Sequence, residues 1–146
     1  MPFEYHARVN KVIDGDTINV DIDLGFNVIL SNQNVRLLGI DTPESRTSDK
    51  VEKIFGTLSK EKAKEFLDKC DNQIILQTIL SDSEEKFGRL LGKVINPKDK
   101  TVLNDWLITS HYAVAYNGEN KDKIAQAHLL NRKFLIDNKE VTIVPI

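Results

Sequence analysis

One cysteine, Cys70, in a chain of 146 residues excludes an intrachain disulfide and suits a reducing compartment. No apolar run approaches the length of a membrane span. The first ten residues, MPFEYHARVN, lack the basic and apolar regions of a secretory signal. The expected location is therefore cytoplasmic as given, compatible with secretion after a signal has been removed, and no membrane partner is expected. Aromatic residues make up only 7% and do not cluster with basic ones, which argues against a single-strand-binding surface built from stacking platforms. Excess charge is also absent. Twenty basic residues face 22 acidic ones, for a net charge of -2 and a pI near 5.9. Such a chain has no global field to attract a polyanion, so a local site must hold one. No internal repeat or low-complexity segment is visible.

What is present is an ordinary folded composition, with 40% apolar and 29% charged residues. The length fits a single domain over 1–146, with a core over about 5–138 and a tail over 139–146. Residues 5–13 read as a strand, and Asp14-Gly15 is a hairpin-type turn. Residues 16–24 alternate. Asp16 shares the parity of Ile18, Val20 and Ile22, while Thr17, Asn19, Asp21 and Asp23 point the other way. Strand signal continues over 28–30 and 35–40, around the polar break SNQN. Thr42-Pro43 ends the second of these. Residues 45–53 read as a loop and 57–70 as an amphipathic helix. Strands follow over 73–80 and 89–95, helices over 102–109 and 121–137, and a short extended piece over 112–116. The order lacks regular βαβ alternation. It predicts an α+β, mainly β fold: a five-stranded barrel of the oligonucleotide-binding type with three helices.

Three stretches carry chemistry: DGDT at 14–17, RLLGIDTPE at 36–44 and KFGR at 86–89. Each alone is common; an Asp-Gly pair is usually only a turn. Their placement is not. Asp16 has inward parity, where a carboxylate is costly without a cation or hydrogen bonds. Arg36 is embedded in an apolar strand and needs an anion or a route to solvent. Arg89 opens RLLGKVI in the same way. Two acids that need a cation, Asp16 and Asp41, and two arginines that need an anion are the parts of a metal-assisted phosphoryl-transfer site. Carboxylate and carbonyl oxygens suit hard ions such as calcium or magnesium, and arginine forks suit a phosphate with developing charge. Glu44 is placed to orient or deprotonate an attacking water.

Together VIDGDT, RLLGIDTPES, KFGR and LND resemble the staphylococcal nuclease (thermonuclease) family in order and spacing, from about Val9 to the third helix. The resemblance implies cleavage of DNA and RNA with one calcium ion as cofactor. Metal-associated water attacks phosphorus and the 5′ oxygen leaves, giving a 3′-phosphate. It implies that Asp16 and Asp41 bind the calcium, with the backbone carbonyl of Thr42 as a further ligand. Glu44 matches the water-activating glutamate, and Arg36 and Arg89 the phosphate-binding arginines. Asp14 matches an acid beside the metal. Lys86 matches a basic residue near a terminal phosphate, and Tyr116, with a one-residue shift, a nucleotide-stacking tyrosine. Phe87 stands where the family often has Tyr, so a phosphate-bonding hydroxyl is missing there. The mild acidity of the chain, set against basic secreted members, implies a shallow salt dependence of binding.

A second class remains open: a non-catalytic barrel of this family that binds nucleic acid or a protein ligand. Retention of all the acids and arginines favours the enzyme. No obligate protein partner is evident. His6, His111 and His128 lack metal-ligand spacing and read as structural or surface residues. Trp106 and Cys70 read as core, and Asp21 and Asp23 as exposed.

Overall fold

The computed structural model describes residues 2–79, 90–116 and 120–141. Its elements run β1 (Pro2–Asp14), β2 (Thr17–Asp23), β3 (Ile29–Leu37), β4 (Ile40–Asp41), α1 (Lys50–Lys69), β5 (Gln73–Ile79), β6 (Leu90–Ile95), α2 (Leu103–Thr109), β7 (Val114–Ala115) and α3 (Lys121–Asp137). Strands β1-β2-β3-β6-β5 close into a barrel. Every pairing in it is antiparallel except β3 with β6. This is the five-stranded barrel with three helices that the strand count predicts. Among the described residues, no helix is long and apolar enough to cross a membrane.

The barrel is filled by alternate residues of its strands: Ile18, Val20 and Ile22 from β2, Val35 and Leu37 from β3, Leu76 and Val94 from β5 and β6. Phe55, Ala63 and Leu67 of α1 and Leu103 and Leu107 of α2 join the same core. Cys70 is buried, and Trp106 packs between Phe66 and Tyr112. The small β4-β7 ladder pairs Asp41 with Val114 and Ile40 with Ala115. It ties the chain before α3 to the strand end that carries Asp41.

Three local readings of the sequence are corrected. The helix predicted over 57–70 begins at Lys50, because Asp49 caps it by accepting from the Val51 and Glu52 amides. Residues 50–53, mostly polar in sequence and expected in the 45–53 loop, form its first turn. The SNQN segment does not break the strand; β3 runs through it with a bulge, where Asn32 takes φ 59°. Thr17 and Asn19, predicted on an open face, are buried. Asn19 is satisfied there by Asn10, Asn32 and Asn34, so a polar ladder stands in for solvent.

Candidate active site

The β1–β2 turn places Asp14 and Asp16 on either side of Gly15. A Cβ on Gly15 would come within 2.8 Å of Ser59 Cβ and 3.1 Å of Thr42 Cγ2, so the turn is wedged between α1 and the Asp41–Glu44 segment. Asp16 is buried, as its strand parity predicts. Its carboxylate accepts from the Thr17 hydroxyl at 3.1 Å and the Thr42 amide at 3.2 Å, and lies 3.6 Å from Arg36 Nη2. Burial raises its carboxyl above the usual carboxylate range; Arg36 and the Thr42 amide oppose this, and Asp41 adds to it.

That balance has a sign. A carboxyl whose folded pKa is raised costs stability while ionised, and the cost is relieved as pH falls from the raised value toward 3.8. Asp16→Asn is therefore expected to raise the melting temperature of the metal-free protein at pH 7. Calorimetry in chelator checks it; a lower melting temperature would mean that ionised Asp16 stabilises the fold.

Val35 and Leu37 of β3 face the core, so Arg36 between them faces the other side, across from Thr17. Its Nη2 donates to the Ile40 carbonyl and to Asp41 Oδ1, both at 3.2 Å. One guanidinium nitrogen thus stands between Asp16 and Asp41. The Tyr116 ring lies 6.0 Å from Arg36 Cζ, and the Tyr116 amide donates to the Gly39 carbonyl. On the opposite side of Asp41, His128 Nε2 is 2.7 Å from Oδ2. A carboxylate only accepts, so Nε2 carries the hydrogen.

Glu44 follows Pro43 on an exposed turn. Its amide donates to Glu52 Oε2 at 3.0 Å. Partial burial and the carboxylates of Asp14, Asp16, Asp41 and Glu52 push its carboxyl up. The turn is fixed from below by Gly56 of α1. A Cβ there would overlap the Glu44 carbonyl and lie 2.6 Å from the Ser45 amide nitrogen. Ser45 donates its hydroxyl to Asp14, whose other oxygen lies 3.9 Å from Arg46.

The structure thus gathers Asp14, Asp16, Arg36, Asp41, Thr42, Glu44 and Tyr116 at one end of the barrel. Lys86, Phe87 and Arg89 lie outside the described residues. His128, read from sequence as structural or surface, is brought onto Asp41, and Glu52 onto the Glu44 turn. His128 is 87 positions from Asp41. The available signal was on α3 itself: Lys121, Ala125, His128 and Arg132 recur at helical spacing on one face.

Donor chemistry fits a hard cation. Asp16 and Asp41 already share one cationic partner in Arg36 Nη2, and carboxylate oxygens are the donors that hard cations prefer. Among the described residues no group of three acid, histidine or cysteine side chains is arranged to hold a metal by itself. Asp16 and Asp41 are the two carboxylates brought together there.

Comparison with known proteins gives the family. The staphylococcal nuclease homologue family matches residues 34–137, and the chain belongs to that family. It is 30% identical over 118 residues to Endonuclease YhcR of Bacillus subtilis, covering 77% of this chain and 9% of that protein. It is 28% identical over 121 residues to an uncharacterized endonuclease of Escherichia coli O157:H7, covering 83% and 67%. It is 32% identical over 91 residues to the Thermonuclease of Staphylococcus hyicus, covering 62% and 48%.

Proposed function

We propose that the chain is a calcium-dependent nuclease that hydrolyses phosphodiester bonds of DNA and RNA and leaves 3′-phosphate ends. The observation that carries this is Arg36 Nη2 held between Asp41 at 3.2 Å and Asp16 at 3.6 Å, beside Glu44. Asp16, Asp41 and the Thr42 carbonyl would hold the calcium, which when bound supplies charge neutralisation at the phosphate. The Arg36 guanidinium binds a non-bridging phosphate oxygen and strengthens its hold as charge builds on phosphorus. Arg89 is assigned the same task by motif. Glu44 accepts the proton of the attacking water, and partial burial with the neighbouring carboxylates raises its affinity for a proton. Asp14 orders the turn through Ser45. Lys86, Phe87 and Tyr116 are assigned to the nucleotide, Tyr116 by stacking.

Product ends test this directly. Digestion of labelled DNA or RNA in calcium should give fragments that a polymerase extends only after phosphatase treatment, and chelator should abolish the digestion. Fragments with free 3′-hydroxyls would overturn the assigned bond.

His128 has a distinct expectation here. It fixes one oxygen of Asp41 while Arg36 holds the other, and loss of such an outer partner commonly weakens a metal site about tenfold or more. His128→Ala should weaken calcium affinity by about that factor in titration calorimetry. Unchanged affinity would assign His128 to α3 packing alone.

A further inference from the structure

We propose that the cleft between the Asp41–Glu44 turn and α3 binds one nucleotide of the substrate strand, on the side of the reacting phosphate opposite Tyr116. This rests on the nuclease reading and extends it to a second subsite. The Asp41 carboxylate divides the region: Arg36 and Tyr116 lie on its Oδ1 side, His128 and the cleft on its Oδ2 side. The cleft measures about 330 Å³, at the small end of ligand pockets. One wall is the catalytic turn with Glu44 and Glu52; the other is α3, with Lys121, Ile124, Leu129 and Arg132.

The two walls ask for a ligand with unlike faces. Leu129 is 57% exposed on a helix beside the catalytic acids, an apolar surface that a flat ring or sugar would cover. Lys121 is exposed on α3 and makes no ion pair among the described residues. A cationic group in this state suits a phosphate at the rim. The acidic wall accepts hydrogen bonds and repels anions, so it suits the N–H and O–H donors of a base and sugar. A nucleotide combines an apolar ring, donors on its edge and a phosphate at one end. A strand held on both sides of the scissile phosphate is cut internally, so chain length past the cleft should lower KM.

The test uses an octathymidylate containing 4-thiothymidine, with calcium, against the wild-type chain, a Lys121→Gln/Leu129→Ser double variant and a Lys98→Gln charge control. Circular dichroism verifies the fold of each. Irradiation of the wild-type complex is expected to crosslink the oligonucleotide to α3 residues as well as near Tyr116. The double variant should lose the α3 crosslinks and raise KM about tenfold, with kcat moved far less. Crosslinks confined to the Tyr116 side, with KM unmoved while wild-type cleavage proceeds, would overturn the cleft and leave the nuclease standing. Failure of the wild-type chain to bind or cleave the octamer at all would overturn both.

Discussion

Arg36→Ala is expected to lower kcat for phosphodiester cleavage by about 10²–10³, the usual loss for one preorganised charge donor at a transition state. The loss has two sources that the geometry separates. The phosphate loses its guanidinium partner. The Asp16 and Asp41 carboxylates, which share Arg36 Nη2, lose the cation between them. In chelator the second effect should appear alone, as a lower melting temperature, since a buried carboxylate stripped of its partner is expensive. Added calcium should then stabilise the variant more than the wild-type chain. Lysine should restore part of the stability and little of the rate, because a point charge cannot offer the fork. Near-normal cleavage by Arg36→Ala would remove this residue from the phosphate site.

The second large effect is expected at a residue with no side chain. Gly56 lies inside α1, where alanine ordinarily stabilises a helix by about 0.5–1 kcal/mol. Here the opposite is expected, because the new methyl would overlap the Glu44 carbonyl. The backbone must move, and overpacking of this kind costs about 1–3 kcal/mol. The melting temperature should fall by several degrees. The rate should fall further than stability explains, since displacing a catalytic group by about 1 Å can cost about 10²-fold. Calorimetry and kcat on Gly56→Ala settle it; a higher melting temperature with normal kcat would show that α1 does not set the position of the Glu44 turn.

The part of the site legible in the sequence is the part written in short-range rules. Asp16 is legible because strand parity puts a carboxylate among Ile18, Val20 and Ile22, and Arg36 because an arginine interrupts an apolar strand. Asp41 and Glu44 flank a Pro turn whose chemistry is local. The barrel was legible through strand count and order. What was not legible depends on tertiary approach. His128 reaches Asp41 only because the β4-β7 ladder and α3 fold back over that turn. Glu52 caps the Glu44 amide only because α1 starts at Lys50, a boundary set by the Asp49 cap. The burial of Thr17 and Asn19 follows from β2 lying between β1 and β3, with an asparagine ladder that alternation alone does not reveal. Gly56 gave no signal, since a helical glycine in sequence reads as a weak point and not as a point of contact.

The most direct test of the proposed chemistry is single-turnover cleavage of single-stranded DNA by the wild-type chain and Glu44→Gln, each in calcium and in chelator. Glutamine keeps the shape of the side chain and removes its capacity as a base. The expected result is calcium-dependent cleavage by the wild-type chain and a rate lower by about 10² or more in the variant, with DNA affinity retained. Equal rates for the two proteins, or cleavage indifferent to chelator, would contradict a calcium-dependent mechanism in which Glu44 takes the proton of the attacking water.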